Sequence, residues 1–173
     1  MVVYGYAQKL LAVFLVALFS PVILFSAGIL VLTHKENPFF IQKRIGLNGK
    51  PFSLFKLKTF YGDKPSTLGQ FFRKTSIDEL PQLLNVINGT MALVGPRPLM
   101  LRDIPEYGLA NLAIYNTVLP GITGLFQING RKLLTMQQRA AYDLAYIQSK
   151  TFSTDIKILL STLSVVFSGV GAQ

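Results

Sequence analysis

Asp78 and Glu79 are the only adjacent acidic residues among the 173 residues of the chain, and they precede Pro81. One interpretation is a capping box, with Ser76 as the N-cap and Glu79 three positions later. In that register Pro81 would be the fifth helical residue, where a backbone donor is needed. A helix that begins at Asp78 places Pro81 in the first turn, where its missing N–H is harmless. Both carboxylates would then lie at the positive end of a helix, which also attracts phosphate. With a metal cation and a bound diphosphate, such a pair predicts phosphoryl-transfer chemistry.

Arg97 is the second candidate, because it lies between Pro96 and Pro98. Each proline restricts the backbone beside it, so the segment is extended or turned. It is then either a stiff surface turn or a device that orients Arg97 towards phosphate, which a guanidinium binds through two parallel hydrogen bonds. Neither motif alone decides between its two interpretations.

The composition narrows the chemistry. The chain has no Cys and one His, so disulfides, zinc–thiolate sites, thiol nucleophiles and His-based metal sites are excluded. Seventeen basic residues against eight acidic ones give a net charge of +9, which favours anionic partners. Half of the residues are apolar, and a protein both basic and apolar fits a membrane surface better than nucleic acid. The scarcity of alternating aromatic and basic residues also counts against nucleic acid.

Residues 10–32 contain no charged side chain. As a helix they would be roughly 35 Å long, enough to cross the bilayer core, and one spanning helix is the default prediction. Ser20-Pro21 lies near the middle, however, and Pro21 frees the carbonyl of Ala17, which predicts a kink. A helix that bends there would return Lys9 and Lys35 to the same membrane face. The residues leave both topologies open.

The remaining elements are positioned by turn signals and periodicity. Asn48-Gly49 predicts a β-hairpin between strands at residues 39–42 and 51–58. We expect helices at residues 68–74, 78–87, 103–118, 136–148 and 154–167, an extended segment at 93–98, and a strand at 125–128. The apolar stripe of the last helix suits the protein core and the membrane interface equally.

Several blocks, taken in order, resemble the bacterial sugar transferase family, the monotopic phosphoglycosyl transferases. They are Ser20-Pro21 and residues 42–52 (QKRIGLNGKPF), 56–59 (KLKT), 73–83 (RKTSIDELPQL), 94–98 (VGPRP), 120–131 (PGITGLFQINGR) and 155–159 (DIKIL). The resemblance covers nearly the whole chain, and the ordered set is far more specific than any single block.

The resemblance implies an enzyme that moves a sugar 1-phosphate from a UDP-sugar to polyprenol (undecaprenyl) phosphate, giving polyprenol-diphosphate-sugar and UMP. This is the first membrane step of surface glycoconjugate synthesis, and it requires Mg²⁺. The expected partners are the UDP-sugar, polyprenol phosphate and bacterial membrane lipid, with no nucleic acid and with a homodimer left open. The expected location is the bacterial inner membrane, with the catalytic domain facing the cytoplasm.

The resemblance also implies residue roles. Asp78 would be the nucleophile of a covalent aspartyl–phosphosugar intermediate, Asp78 and Glu79 would hold the metal, and Ser20-Pro21 would break the membrane helix. The residues expected to bind substrate are Lys58, Arg73, Pro96, Arg97, Gln127 and Arg131. Thr90 and Ala92 replace the usual Asp and Ser of the family, which leaves the support of the metal or the active-site loop open.

We therefore predict an α+β fold made of a re-entrant membrane helix, residues 1–36, and a catalytic domain with a short β-hairpin, residues 37–173. It would be the minimal catalytic form of the family. Two alternatives are a tethered binding protein that has lost catalysis and a single-span protein that binds nucleic acid. Release of UMP from a UDP-sugar in the presence of polyprenol phosphate would separate the enzyme from both.

Overall fold

The computed structural model describes residues 2–130 and 133–168, and it mixes helices with short sheets. The helices are α1 (Val2–His34), α2 (Thr67–Thr75), α3 (Leu83–Ile87), α4 (Ile104–Tyr107), α5 (Leu109–Tyr115), α6 (Leu125–Ile128), α7 (Met136–Ser149) and α8 (Phe152–Ser168). The strands are β1 (Phe39–Ile45), β2 (Pro51–Leu57), β3 (Phe60–Tyr61), β4 (Lys64–Pro65), β5 (Ala92–Val94) and β6 (Gly121–Thr123). The predicted α+β class is confirmed.

The predicted hairpin joins β1 and β2, which pair antiparallel from Phe39 opposite Leu57 to Ile45 opposite Pro51. Asn48 and Gly49 both have positive φ, 57° and 70°, the conformation for which Asn-Gly is favoured. β1 extends three residues beyond the predicted end, and β2 ends at Leu57, one residue earlier than predicted.

β5 and β6 form a two-stranded parallel sheet next to the Arg97 segment. The two backbone segments come very close at Gly121 and Gly95. A Cβ on Gly121 would lie 2.0 Å from the backbone nitrogen of Gly95. Only glycine fits there, and the amide of Gly121 donates to the carbonyl of Pro96 at 2.8 Å. This contact fixes the start of the Arg97 segment against β6.

Three predicted elements are wrong in detail. Residues 125–128 form helix α6 instead of a strand, and Asn129 Nδ2 donates to the Leu125 carbonyl at 2.8 Å, satisfying a group at the helix end. The helix predicted at 103–118 is divided at Gly108, whose φ is 89°. The helix predicted from Asp78 begins instead as a 3-10 turn, Ile77–Gln82, and only α3 is α-helical.

α1 lies against the rest of the protein by one face along its length. Ala12 packs into a core with Leu54, Val86 and Ile158, while Leu30 packs into a second core with Phe72. Polar contacts hold the N-terminal part: the Tyr4 hydroxyl donates to Asp155, and Gln8 Oε1 accepts the backbone N–H of Leu93 at 2.8 Å. At the other end the His34 ring stacks on Tyr61, with ring centroids 3.5 Å apart.

α1 is helical through both Ser20 and Pro21, so the chain does not leave the helix there, and the predicted bend of the helix axis stays a prediction. Pro21 cannot donate to the Ala17 carbonyl, but Ser20 Oγ donates to that oxygen at 2.9 Å. The side chain thus replaces the missing backbone bond, and the helix continues. Its 31 residues Tyr4–His34 are long and apolar enough to cross a membrane.

The apolar stripe of the last helix was predicted to face either the protein core or the membrane interface, and neither prediction alone describes it. Ile158 is buried in the core and Asp155 is also buried, whereas Leu160 and Leu163 are exposed. α8 therefore packs on the protein with one face and presents an apolar surface with the other.

Candidate active site

A cavity of about 770 Å³ lies between α1, α8 and the turn Ile77–Gln82. Its polar wall is made of Lys56, Arg73, Asp78, Glu79, Arg97 and Gln127. Its apolar wall is made of Leu15, Phe19 and Val22 from α1 with Leu159, Leu163 and Val166 from α8. A ligand with a charged group and a long apolar part matches both walls.

Glu79 joins two cations that come from distant parts of the chain. Its Oε1 accepts from Lys56 Nζ of β2 at 2.8 Å and from Arg97 Nη2 at 2.9 Å. Burial alone would raise the pKa of Glu79, but Arg97 and Lys56 outweigh it and hold the pKa well below its usual range. Glu79 is therefore ionised at neutral pH, and it orders two side chains that can face phosphate.

Asp78 is only 5% exposed and has the opposite shift. Burial, together with repulsion from Glu79, raises the pKa of Asp78 from 3.8 to about 6, against the opposing effect of Lys56, Arg73 and Arg97. The carboxylate is thus ionised above pH 6 but poorly stabilised by its surroundings. A buried, weakly solvated anion next to cations has the properties of a nucleophile at phosphorus.

The 3-10 turn explains how the two neighbouring carboxylates have different surroundings. Ser76 has a left-handed backbone, φ 59°, and its side chain does not cap the turn, so the capping-box interpretation is wrong. Pro81 is accommodated because an i→i+3 turn this short needs few backbone donors. The attraction of phosphate must therefore come from side-chain cations instead of an α-helix dipole.

Arg73 and Gln127 complete the polar wall. The Arg73 guanidinium lies over the Phe60 ring at 5.0 Å, which restricts its orientation. Gln127 is 6% exposed and its Nε2 donates weakly to the Ile122 carbonyl at 3.5 Å, while its Oε1 has no protein donor among the described residues. An unpaired buried oxygen beside a cavity is suited to a donor group on a ligand.

The structure brings together Arg73, Asp78, Glu79, Arg97 and Gln127 of the residues predicted from the sequence. Lys58 does not line the cavity: it pairs with Glu36 and lies over the Tyr61 ring at 5.0 Å. Pro96 is buried outside the cavity, where its carbonyl binds Gly121. Arg131 lies outside the described residues.

Lys56 is the site residue that sequence reasoning missed. The alternation of β2 was expected to continue to Lys58, which would have put both lysines on one face. Because the strand ends at Leu57, only Lys56 is held in register, and it contacts Glu79. The acidic pair was a usable signal, since a partly buried Glu needs a cation and Lys56 is the lysine inside the strand.

The two departures from the family pattern do not alter the cavity lining. Thr90 Oγ1 donates to Asn88 Oδ1 at 2.7 Å, and Ala92 is buried in β5. Neither is among the cavity-lining residues.

The donor set fits a magnesium ion that shares its ligands with a substrate. No group of three or more His, Cys, Asp or Glu lies together in the described residues. Mg²⁺ is commonly held by one or two carboxylates with substrate phosphates and water. Asp78 and Glu79 supply such carboxylate oxygens, and Lys56 and Arg97 both bind Oε1 of Glu79 instead of Oε2.

Comparison with known proteins gives the family. The family model described as bacterial sugar transferase matches residues 5–169. The chain belongs to the bacterial sugar transferase family. The enzyme class predicted from the sequence, a phosphoglycosyl transferase, is thereby confirmed.

Three relatives within this family illustrate the range of similarity. The chain is 40% identical to "Uncharacterized sugar transferase EpsL" of Bacillus subtilis, over 94% of this chain and 86% of that protein. It is 38% identical to a UDP-glucose:undecaprenyl-phosphate glucose-1-phosphate transferase of Caulobacter vibrioides, over 88% of this chain and 65% of that protein. The protein of the same name in Escherichia coli is 36% identical, over 92% of this chain and 38% of that protein.

Proposed function

We propose that this sugar transferase moves a sugar 1-phosphate from a UDP-sugar to polyprenol phosphate and releases UMP. The observation that carries the proposal is the cavity with two walls, because one wall has the charges for a diphosphate and the other has the apolar surface for a polyprenol. The names of the Caulobacter and Escherichia relatives support the same pair of substrates.

The first half-reaction uses Asp78. A carboxylate oxygen of Asp78 attacks the phosphorus that carries the sugar, and the bond from that phosphorus to the bridging oxygen of the diphosphate breaks. UMP leaves with the bridging oxygen and its electron pair, so it needs no proton. Lys56, Arg73 and Arg97 lie where they can stabilise the charge on the transferred and departing phosphates.

The second half-reaction restores the enzyme. A phosphate oxygen of polyprenol phosphate attacks the same phosphorus, and the bond to Asp78 breaks to give polyprenol-diphosphate-sugar and a free carboxylate. The apolar wall would hold the polyprenol so that its phosphate meets the polar wall. Glu79 remains ionised throughout, since its two cations keep its pKa low.

We propose Mg²⁺ as the cofactor, held by Asp78 and Glu79. When bound, the ion would neutralise charge on the diphosphate. Excess EDTA should stop UMP release, and added Mg²⁺ should restore it. Turnover that is unchanged in EDTA would contradict this part of the proposal.

We place the catalytic domain on the cytoplasmic face of the inner membrane, with α1 inserted without crossing. The support is that Tyr4 and His34, near opposite ends of α1, both contact the same domain. Outward side chains such as Leu10, Phe14 and Phe25 are 61–72% exposed and suit lipid. The division into residues 1–36 and 37–173 and the homodimer stay predictions.

Cysteine labelling tests the topology, because the chain has no native Cys. A cysteine placed beside Met1 and one at Lys35 should both resist a membrane-impermeant thiol reagent in intact cells and react after lysis. Labelling of the first site in intact cells would show that α1 spans the membrane.

The activity test uses purified protein in nanodiscs with undecaprenyl phosphate and a panel of UDP-sugars that begins with UDP-glucose. UMP and a lipid-linked sugar phosphate should appear together for at least one UDP-sugar. Binding of UDP-sugars without UMP release would support the tethered binding protein instead.

A further inference from the structure

Side chains provide most of the partners of the backbone around Arg97. Pro96 and Pro98 have no N–H, so residues 96–98 offer one backbone donor and cannot form a strand ladder. The carbonyls of the two prolines bind the Gly121 amide at 2.8 Å and Arg44 Nη1 at 2.9 Å. The N–H and C=O of Arg97 itself therefore need partners from elsewhere.

Helix α7 supplies both partners. Arg139 Nη2 donates to the Arg97 carbonyl at 2.6 Å. Burial raises the pKa of the Asp143 carboxyl group, and the Arg97 backbone N–H that faces it acts in the opposite direction. Arg139 and Asp143 are four residues apart, so they lie on one helix face one turn from each other. Both peptide groups of Arg97 thus lie against one pair of side chains, and the carbonyl accepts a short hydrogen bond from that pair.

The pair is buried and has further polar neighbours. Arg139 is 7% exposed and Asp143 is 1% exposed. Arg139 Nε lies 3.7 Å from Asp143 Oδ2, and Tyr107 donates its hydroxyl to the same oxygen at 3.2 Å. Asp103 Oδ2 lies 4.0 Å from Arg139 Nη1.

Burying a guanidinium and a carboxyl group is costly, and burial raises the pKa of Asp143 to about 7 against the opposing effect of Arg139. The two residues would therefore be poor choices if they only filled space. Neither Arg139 nor Asp143 lines the cavity, and neither can touch substrate there. What they contact is the main chain of the residue whose guanidinium binds Glu79. A displacement of about 1 Å at such a group can cost about 100-fold in rate.

We propose that Arg139 and Asp143 are positioning residues that fix the backbone of Arg97. They thereby orient its guanidinium towards Glu79 and the substrate phosphates. This inference rests on the proposed function for its kinetic test only. A role confined to stability would lower the melting temperature without depending on Arg97.

The kinetic test is a double-mutant cycle read by kcat/KM for UMP release. Arg139→Met keeps similar volume but removes the donors, and we expect a loss of about 10- to 100-fold in the wild-type background. With Arg97→Met already present, the same change should cost less than about 2-fold. Arg139→Lys, which keeps a charged donor, should recover part of the loss. An equal cost in both backgrounds would overturn the proposal.

Hydrogen exchange gives a readout that needs no activity. The Arg97 amide should exchange slowly in the wild type and faster in Asp143→Leu, while the amides of α1 stay unchanged in both. Unchanged exchange at Arg97 would overturn the proposal even if the protein released no UMP. If wild type has no activity but Arg97 exchange responds, the proposed function fails and the positioning contact stands.

Should Arg139→Met fail to fold, Asp143→Asn replaces it in the cycle. Asn can still accept from the Arg97 N–H but loses the charge that holds Arg139. We expect a loss of about 10-fold in the wild-type background and almost none with Arg97→Met. Equal losses would again contradict the positioning role.

Discussion

The two walls of the cavity are built in different ways. The polar wall takes its side chains from short elements deep in the protein, and Glu79, Lys56 and Arg97 hold one another at 2.8–2.9 Å. The apolar wall takes its side chains from two long helices, and Leu163 there is 58% exposed. The first wall is fixed by specific contacts, and the second is open and fixed mainly by helix position.

This difference predicts how each wall responds to substitution. A charge removed from a buried network leaves its partners unpaired, so polar-wall variants should lose rate even when shape is kept. Apolar side chains act through area and volume, so the apolar wall should tolerate apolar exchange and respond to polarity.

The largest effect is expected at the polar wall with Asp78→Asn. Asn has nearly the shape of Asp but cannot form the acyl phosphate, so UMP release should fall by a factor on the order of 1,000 or more. Steady-state release of UMP measures this, with circular dichroism as the check on folding. Activity within a few-fold of wild type would show that Asp78 is not the nucleophile.

The next effect compares two lysines of one segment. Lys56→Met should lower kcat/KM by about 10- to 100-fold, because Glu79 and the phosphates lose a partly buried cation. Lys58→Met is the matched control, since Lys58 pairs with the exposed Glu36 instead, and it should change kcat/KM by less than about 3-fold. A larger loss of kcat/KM in Lys58→Met would support the prediction from the sequence that Lys58 binds substrate.

A smaller effect is expected at the apolar wall. Leu163→Gln should raise the KM for undecaprenyl phosphate by about 10-fold, because one buried apolar contact with the lipid is lost. Leu160→Gln, on the same helix but outside the cavity, is the control and should leave KM nearly unchanged. Single-turnover loading with UDP-sugar alone should be equal in both variants. Equal KM changes would mean that this wall does not bind the polyprenol.

The smallest effect concerns stability and pH. The pKa of Asp78 is raised from 3.8 to about 6, so the folded protein binds this proton more tightly than the unfolded chain. The ionised carboxylate therefore lowers the stability of the fold. This loss of stability is complete above pH 6 and absent at pH values far below 4. Asp78→Asn should raise the melting temperature at pH 7.5 and lose that gain near pH 4. A destabilised variant at pH 7.5 would contradict the raised pKa.

The sequence was most informative where local rules decide. Asn48-Gly49 predicted the hairpin, and the acidic pair with Arg97 predicted half of the polar wall. Arg73 and Gln127 were predicted only from the family resemblance. Prediction from the sequence failed where the deciding contact is not a local pattern. The end of β2 determines that Lys56, and not Lys58, contacts Glu79. The hydrogen bond from Asn129 stabilises a helix at residues 125–128, where a strand was predicted. The role of Arg139 and Asp143 was hidden as well, because their partner is a backbone some forty residues away.

Pro21 shows a similar limit of what the sequence predicts. A proline in an apolar helix predicts a lost hydrogen bond, but not whether a neighbouring side chain replaces it. Ser20 does so here, and the helix continues. The support for a non-crossing helix therefore comes from the contacts of Tyr4 and His34, which no local pattern contains.

The central claim is that Asp78 carries the phosphosugar, and mass spectrometry of the protein after incubation with a UDP-sugar and Mg²⁺, without polyprenol phosphate, tests it most directly. We expect that the peptide containing Asp78 gains the mass of one sugar phosphate, that an equal amount of UMP appears, and that undecaprenyl phosphate then removes the adduct. The Asp78→Asn protein should show no adduct. Full turnover with no adduct at Asp78, or an adduct on another residue, would contradict the account.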